Sequence, residues 1–380
     1  MKKILALMMA ALMVISIVAC AKKEEQETND DDKSNTVQNE ISVKSGKFVY
    51  DTNSDGDYEI VKYIPAGTKT VDLLELPKTT ADKRDIVGIA DEAFKAVLTI
   101  KAVSIPDTYT YVGNFAFYDC DNLESIALPN SIASIGKYCF AECDKLASLT
   151  LSTAVATIPD GAFKNCVALT AAALPESTTE ICDAAFFGCK ALTEVTLSDK
   201  IKTVTKNAFY DCDSLKYTVS ENAKYLGNAD NPYIVLVSAL DLNIESCKVN
   251  NNTSVIANKA FANCKYLETL VLGAKVSSIN NSSFEGCESL EFNEYENALY
   301  LGTAENPYAV IVSVVNLSHE NLKLHADTRI ITAEAFANCI KLEAISYDKK
   351  TSDWNKIIKT ENWNHEINIL VVCNGDNKAE

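Results

Sequence analysis

The sequence predicts a β-rich solenoid of 23-residue coils, with two enlarged coils and a cap at each end. Three observations predict this fold: phenylalanine recurs every 23 residues, cysteine and leucine follow it at fixed distances, and a short strand pattern comes next. A chain of 380 residues is too long for one ordinary hydrophobic core. One such unit cannot bury its apolar side alone, whereas stacked units bury it against each other.

The phenylalanine column occupies nine positions in a single frame: Phe94, Phe117, Phe140, Phe163, Phe186, Phe209, Phe261, Phe284 and Phe336. Successive phenylalanines are separated by 23 residues, except for two intervals of 52 residues, so two insertions interrupt the frame. From Phe117 onward, cysteine stands three residues after phenylalanine and leucine three residues after cysteine, while Val97 and Ile100 replace them in the first copy. All three columns are therefore predicted to be buried core, worth roughly 1.5–3 kcal/mol for each phenylalanine or leucine.

A short strand is predicted after each leucine. The segments "LESIALP" (123–129) and "LTEVTL" (192–197) have apolar residues in the pattern L-x-x-φ-x-φ. The last three positions alternate with period two, which is typical of a half-buried strand. A second apolar pair, such as Ile132 and Ile135, precedes the next phenylalanine.

The unit "I-x-x-x-A-F-x-x-C-x-x-L-x-x-V-x-L-P" resembles the BspA-like leucine-rich repeats of bacterial surface proteins, over about residues 41–380. It lacks the asparagine ladder of a typical eukaryotic leucine-rich repeat. The resemblance implies a leucine-rich-repeat solenoid, β-rich and of the α/β class, over residues 86–350. Members of this family include adhesins that bind host matrix proteins or other bacteria, so adhesion is what the resemblance implies.

Two long insertions, near residues 221–250 and 296–325, are copies of each other at an offset of 75 residues. Each contains a turn, "NPY", followed by an apolar run that predicts a buried strand. A ligand loop is one interpretation. The matching apolar strands favour the other, an enlarged coil that bends the solenoid.

Both ends of the solenoid are predicted to be capped, because a terminal coil would otherwise expose its core. In the predicted N-terminal cap, 41–85, residues 47–64 predict a hairpin with Asp55-Gly56 at the turn. A calcium loop is the alternative, but Lys62 stands where a bidentate glutamate is needed. In the predicted C-terminal cap and tail, 351–380, Trp354 and Trp363 are expected to cover the last coil.

The N-terminal segment predicts a lipoprotein. Residues 1–19 have a basic start and an apolar stretch typical of a signal peptide, and Ile17-Val18-Ala19-Cys20 resembles a bacterial lipobox. Cys20 would then carry the lipid, with residues 20–40 as a flexible tether. An ordinary signal peptide or an uncleaved anchor are the alternatives. The predicted location is the bacterial cell surface, extracytoplasmic, with the membrane contacted through the lipid anchor.

Charge and cysteine spacing exclude several classes of function. The net charge of −17 disfavours nucleic-acid binding. The eight column cysteines form no C-x-x-C cluster, which argues against zinc, and their side chains would point in parallel, which argues against disulfides. We interpret them as buried thiols that act as small apolar residues. Cys139, Cys182 and Cys373 stay unassigned, and no cofactor is expected.

Catalysis is not predicted. At the offset of 75, His319 and His325 align with Ile244 and Asn250, which a site carried by the repeat would not tolerate. Those two histidines and His365 are therefore expected at the surface or in local packing. The sequence contains no nucleophile elbow, phosphate loop or H-E-x-x-H motif. A catalytic dyad hidden among the many acids and serines is the alternative.

The remaining candidate site is a ribbon of exposed strand positions on the concave face, which in many repeat folds binds proteins or extended ligands. The candidate partner-binding residues are Glu124, Thr150, Thr170, Glu194, Thr196, Glu268, Thr269, Glu291 and Glu343. Their expected partner is an extracellular protein, from host matrix or another bacterial surface. The alternatives are a peptide or glycan capture protein associated with transport, a structural cell-envelope protein, or ordinary surface solubility for individual residues.

Overall fold

The computed structural model describes residues 39–333, 335–360, 363–364 and 368–377, and the chain divides into two compact units. The N-terminal unit ends at Lys216 and the C-terminal unit begins at Tyr217. Within the described residues the fold is a β-solenoid of about 12 coils of about 23 residues, with little helix. The predicted fold class is therefore confirmed.

The N-terminal unit contains fifteen strands among its described residues and a 3₁₀ helix, Lys206–Phe209. The strands are β1 (Asn39–Val43), β2 (Gly46–Thr52), β3 (Tyr58–Pro65), β4 (Leu74–Glu75), β5 (Ile86–Ile89), β6 (Ala102–Ser104), β7 (Tyr111–Val112), β8 (Ser125–Ala127), β9 (Ser134–Ile135), β10 (Ser148–Thr150), β11 (Thr157–Ile158), β12 (Ala171–Ala173), β13 (Glu180–Ile181), β14 (Glu194–Thr196) and β15 (Thr203–Val204).

The described part of the C-terminal unit contains fourteen strands, a short helix α1 (Thr351–Trp354), and 3₁₀ helices at Asn281–Phe284 and Asn374–Asn377. The strands are β16 (Thr218–Ser220), β17 (Ala223–Leu226), β18 (Val235–Ala239), β19 (Ser246–Lys248), β20 (Val255–Ile256), β21 (Thr269–Val271), β22 (Asn293–Tyr295), β23 (Ala298–Leu301), β24 (Val310–Val314), β25 (Asn321–Leu324), β26 (Ile330–Ile331), β27 (Ala344–Tyr347), β28 (Ile358–Lys359) and β29 (Leu370–Cys373).

Most coils contribute one strand to each of two parallel ladders. Ladder 1 pairs β4–β6–β8–β10 and β12–β14 in the N-terminal unit, then β19–β21 and β25–β27–β29 in the C-terminal unit. The strands after Leu215 and Leu290, β16 and β22, instead pair antiparallel within the enlarged coils. Ladder 2 pairs β3–β5–β7–β9 and β11–β13–β15, then β18–β20 and β24–β26–β28. Ser125 pairs with Ser148 and Glu180 with Thr203, which is a register of one 23-residue repeat.

The phenylalanine column lies between the ladders and is buried, as predicted. In the N-terminal unit the six rings from Phe94 to Phe209 stack face to face, with centroid distances from 4.8 to 5.6 Å. All the column leucines are buried, and so is every column cysteine except Cys287, which is half-buried. Aromatic stacking of this kind stabilises the fold beyond what burial of the rings contributes.

Left-handed residues turn the chain on both sides of the phenylalanines from Phe94 to Phe186 and of Phe261, whereas a 3₁₀ helix leads into Phe209 and Phe284. Around Phe163 they are Gly161, with φ of 60°, and Asn165, with φ of 58°. A side chain at Gly161 would place its Cβ 2.2 Å from the ring of Tyr138 in the preceding coil, so this position requires glycine. The turn is held by the next coil, since the Phe163 amide donates to the Ala185 carbonyl at 2.8 Å.

The insertions are enlarged coils, as the sequence favoured. Each adds an antiparallel three-stranded sheet, β16–β17–β18 and β22–β23–β24, and both sheets shift register at the equivalent position. The phenols of Tyr225 and Tyr300 accept the amides of Asn250 and His325, each at 3.3 Å, again at the offset of 75. The "NPY" turns lead into the buried strands β18 and β24, as predicted.

Near the N-terminal end of the described residues, the chain forms the hairpin that the sequence predicts. Strands β2 and β3 are antiparallel, and the Asn53 side chain accepts the amides of Asp55 and Asp57 at 3.0 and 2.9 Å within the turn. Gly56 in that turn has a φ of 85°. Strand β1 begins at Asn39, two residues inside the predicted tether, because it pairs with β2.

The C-terminal segment adds strands to the solenoid although its sequence breaks the repeat. Strands β28 and β29 extend ladders 2 and 1 in parallel register. Trp354 is buried, and the Trp363 ring meets the rings of Phe336 and Trp354 edge-on, each at 5.9 Å between centroids. Both tryptophans thus pack on the core of the last coils.

Replacing Trp363 with alanine is expected to lower the free energy of unfolding by about 1–3 kcal/mol, below the range for a fully buried aromatic side chain. Trp363 is partly buried against this core, so its loss removes contacts to Phe336 without opening a closed cavity. Urea denaturation checks the change. Ile358→Ala on the same segment, where Ile358 is 39% exposed, is the control, and equal losses in both variants would contradict a covering role for the ring.

The described residues contain no helix that is long and apolar enough to span a membrane. The predicted signal peptide, Cys20 and most of the predicted tether lie outside the described residues.

Candidate functional site

Ladder 1 of the N-terminal unit presents a row of exposed polar side chains. All five candidate residues predicted in this unit are exposed: Glu124, Thr150, Thr170, Glu194 and Thr196. Their strands alternate between exposed and buried positions, as in β14, where Glu194 and Thr196 flank the buried Val195. The row is mixed in charge, because Lys101 lies 3.2 Å from Asp72 and 3.7 Å from Glu124.

Ladder 1 of the C-terminal unit is acidic instead. Its four predicted candidates, Glu268, Thr269, Glu291 and Glu343, are also exposed. The Glu268 amide donates to the Glu245 carbonyl at 2.8 Å, and the Glu291 amide donates to the Glu268 carbonyl at 2.9 Å. Three successive coils therefore place a glutamate at the same position.

The position that Glu268 occupies is glutamate again within the second enlarged coil and in the coil that follows it. The Glu343 amide donates to the Glu320 carbonyl at 2.8 Å, and both side chains are exposed. We call the set Glu245, Glu268, Glu291, Glu320 and Glu343 the glutamate column. Within the described residues none of its carboxylates forms an ion pair or a side-chain hydrogen bond.

This arrangement has an electrostatic cost. Like charges on directly paired strands destabilise a sheet, and the strands of one ladder lie about 4.8 Å apart. In the N-terminal unit the equivalent positions carry Lys101, Glu124, Ala147, Thr170 and Thr193, so the charge does not accumulate there. The glutamate column is thus the most strongly acidic part of either described ladder 1.

Two members of the column, Glu245 and Glu320, were missed by the sequence analysis. They stand inside the enlarged coils, where the phenylalanine–cysteine–leucine frame is interrupted. The offset of 75 could have identified them, because it aligns Ile244-Glu245 with His319-Glu320. Both pairs come just before strands that contain a buried residue, Cys247 in one and Leu322 in the other.

The cysteine column has a hydrogen-bonding role that the apolar interpretation lacked. The thiol of Cys166 donates to the Phe140 carbonyl of the preceding coil at 3.1 Å, and Cys120, Cys143, Cys189, Cys212 and Cys287 do the same at 3.0 to 3.2 Å. All twelve described cysteines are free. Burial raises the pKa of Cys120 to about 12 and raises that of Cys166 well above its ordinary value, so these thiols are poor nucleophiles.

The unassigned cysteines and the histidines take local packing roles. Cys139 and Cys373 are buried and Cys182 is half-buried. The His325 ring stacks on the Tyr308 ring at 4.1 Å, whereas His319 is exposed on the C-terminal unit. His365 lies outside the described residues. No group of three or more histidine, cysteine or acidic side chains in the described part of the chain could hold a metal ion.

Several solved bacterial structures are similar to this chain. The T. pallidum leucine-rich-repeat protein is 25% identical, with 60% of this chain and 90% of that one covered and a TM-score of 0.45. A leucine-rich cell surface protein from Faecalibacterium prausnitzii A2-165 is 21% identical, covering 84% and 97%, with a TM-score of 0.40. A leucine-rich-repeat protein from Bacteroides ovatus is 19% identical, covering 87% and 99%, with a TM-score of 0.44. No curated protein matches.

The family comparison is decisive. The family described as "BspA type Leucine rich repeat region" matches in six copies at residues 87–228, 239–303 and 314–360, which is more than half of the chain. Those residues contain the stacked phenylalanines and the thiol donors, and they include each enlarged coil in part, without 229–238 and 304–313. The chain belongs to the BspA-type leucine-rich-repeat family.

Proposed function

We propose that this protein is a non-catalytic lipoprotein of the bacterial surface that binds an extracellular protein through the exposed side of ladder 1. Cys20 would carry the lipid, and residues 21–38 would hold the solenoid away from the membrane. The proposed binding surface comprises the exposed ladder positions predicted from the sequence, with the glutamate column at its centre in the C-terminal unit. Family membership supports a repeat scaffold used for recognition.

The glutamate column is the observation that carries this proposal. Five exposed carboxylates repeat at one position of the coil, which in four cases is the residue just before a ladder 1 strand, and none has a partner among the described residues. Exposed glutamate suits solubility, but solubility does not require it at a single position on paired strands, where repulsion is greatest. A cationic partner would offset that repulsion, so we expect a partner segment rich in lysine or arginine.

The scaffold is suited to binding by many weak contacts. The ladder strands are held by backbone hydrogen bonds and packed on a stacked aromatic core, so little conformational entropy is lost when a partner binds. Each exposed ion pair contributes only about 0.2–1 kcal/mol, so affinity would come from the repeat of such pairs. Screening by salt should weaken the interaction.

Changing Glu245, Glu268 and Glu291 together to glutamine is expected to weaken binding roughly tenfold, since three exposed ion pairs are lost. The full-length chain, kept soluble in mild detergent, would be tested on arrays of matrix and bacterial surface proteins at low and physiological salt. Hits that depend on the ladder should bind more weakly at the higher salt.

The matched control changes Glu285, Glu288 and Glu305 to glutamine, which alters the net charge equally at positions outside the glutamate column. Binding should be retained by this variant. Equal losses in both variants would mean that net charge, and not the column, governs binding. Unchanged binding by the variant of Glu245, Glu268 and Glu291 would show that the binding site lies elsewhere on the chain.

A further inference from the structure

A groove lies beside ladder 1 at the second enlarged coil, within the C-terminal unit. Strands β25 and β27 form its floor, with Asn321, Lys323 and Ser346, and the turn between β22 and β23 forms one wall, with Glu296 and Asn297. His319 lines it as well. Its volume of about 330 Å³ is at the small end of the range for ligand pockets, about 300–1,000 Å³.

The groove contains polar side chains that the rest of the described chain does not use. Glu296, His319 and Asn321 are exposed, and no hydrogen bond or ion pair engages their side chains within the described residues. Lys323 is fixed there by Asp348, with 2.8 Å between its Nζ and the carboxylate. Ser346 contributes a half-buried hydroxyl. Both hydrogen-bond donors and acceptors therefore point into one small concavity.

The first enlarged coil is an internal comparison for this groove. At the offset of 75 the turn residues Glu221 and Asn222 and the cation Lys248 are the same as in the second coil. The groove positions His319, Asn321 and Ser346 correspond to Ile244, Ser246 and Val271. Ile244 is buried, whereas His319 is exposed. The two copies thus share their strand and turn pattern but differ in hydrogen-bonding capacity at the groove.

The lining excludes several kinds of ligand. Its only apolar residue, Leu322, is 2% exposed, so the apolar surface of the groove comes from the carbon atoms of polar side chains and no apolar side chain is open to a ligand. An anion would meet Glu296, and the one cation, Lys323, is already paired with Asp348. A peptide could not add as a strand beside β27, which pairs with β25 on one side and with β29 on the other, so only the edge strand β25 could accept one.

A neutral ligand with many hydroxyl groups fits what remains. Each hydroxyl both donates and accepts a hydrogen bond, and the lining offers the Glu296 carboxylate, the Asn321 amide and the His319 imidazole. The Asn297 amide is already bonded to the backbone of Asn316, and the Ser346 hydroxyl donates to the Leu322 carbonyl at 3.5 Å and can still accept. We propose that this groove binds a neutral saccharide unit. The proposal stands apart from protein binding by the glutamate column.

The variant that tests it gives the second groove the residues of the first: His319→Ile, Asn321→Ser and Ser346→Val in one chain. The first enlarged coil holds these side chains on the equivalent strands, so the fold should tolerate them. Glu296→Gln, a near-isosteric change, is the second variant should the triple change fail to fold. The matched control changes Glu221 to glutamine and Lys248 to alanine in the first enlarged coil.

Saturation-transfer difference NMR on the full-length chain would use the methyl glycosides of glucose, galactose, mannose and N-acetylglucosamine as probes. N-acetylneuraminic acid and glucosamine are the anionic and cationic comparisons. We expect one or more neutral glycosides to bind in about the millimolar range. The triple variant should lose at least about tenfold in affinity, since three side chains lose their hydrogen bonds or surface. The control and the variant of Glu245, Glu268 and Glu291 should bind as before.

Polysaccharide and protein-linked glycan offer the same hydroxyl chemistry, so dextran, mannan and a glycoprotein with and without its glycans form a parallel arm. Binding to either source that falls in the groove variants supports the proposal. Three results would overturn it: no signal from any neutral glycoside, preference for a charged sugar, or binding unchanged in both groove variants.

Discussion

Replacing Phe163 with alanine is expected to lower the free energy of unfolding of the N-terminal unit by about 3–5 kcal/mol. The Phe163 ring is fully buried and stacks on the rings of Phe140 and Phe186 at 5.6 and 5.3 Å. Deleting the ring removes the free energy gained from its burial. It also leaves a cavity between the rings of Phe140 and Phe186, which the backbone hydrogen bonds hold apart. The stacking contribution of two aromatic pairs is lost as well.

Urea denaturation followed by circular dichroism would measure this change, with Val167→Ala as the control. Val167 belongs to the same coil but is 37% exposed, so its truncation should cost less than about 1 kcal/mol. The denaturant slope must be compared too, because a repeat protein can unfold in parts. A loss below about 1 kcal/mol for Phe163→Ala, with an unchanged slope, would contradict a buried phenylalanine column.

The fold could be predicted from the sequence because its core and its register are the same repeat. One coil contributes one phenylalanine, one cysteine and one leucine, and neighbouring strands pair at that same interval of 23 residues, as Ser125 does with Ser148. A buried column tolerates only apolar or thiol side chains, so a structural requirement becomes a visible spacing. Val97 and Ile100 show the tolerance of that rule, because both are buried in the first copy.

Backbone features left weaker signals. Left-handed residues flank most of the column phenylalanines, but glycine, asparagine, glutamate and alanine all occur there, so no residue type marks the position. The C-terminal strands β28 and β29 extend the ladders through backbone hydrogen bonds, which need neither phenylalanine nor cysteine. The sequence therefore indicated an end to the repeat where the hydrogen-bonded ladders continue.

The candidate site was predicted in part for a similar reason. Strand alternation identified the exposed positions, and all nine predicted ribbon residues are exposed. The glutamate column was incomplete, because Glu245 and Glu320 stand where the insertions interrupt the frame. The groove could not be predicted, since it depends on how the turn at Glu296 lies beside β25 and β27.

Alkaline pH is expected to unfold the N-terminal unit at about pH 10, where the buried cysteine thiols keep protons that the unfolded chain releases. Burial raises the pKa of the Tyr109 and Tyr111 phenols as well, so these two side chains act in the same direction. Burial raises the pKa of all seven described cysteines of this unit: Cys120, Cys139, Cys143, Cys166, Cys182, Cys189 and Cys212. The pKa of an exposed thiol in the unfolded chain is about 8.5.

The direction follows from these pKa values. Below about pH 8.5 the thiols are protonated in both states, so pH has no effect through them. Above it the unfolded chain releases protons that the folded unit retains, and the free energy of unfolding falls by about 1.4 kcal/mol per pH unit for each thiol. The fall continues until the folded pKa is reached, which for Cys120 and Cys212 is about 12.

The expected loss at pH 10 is about 2 kcal/mol for each thiol, and seven thiols together would consume the 5–15 kcal/mol that typically stabilises a domain. Urea denaturation between pH 7 and 10 (a range chosen around the unfolded pKa of about 8.5), with reductant present, would measure the slope. Ionisation of lysine and tyrosine contributes equally to any variant that keeps them. A double variant, Cys166→Ala with Cys189→Ala, is therefore expected to lose stability less steeply, by about 2.8 kcal/mol per pH unit. An identical pH dependence in the double variant would show that these two thiols are not protected by burial.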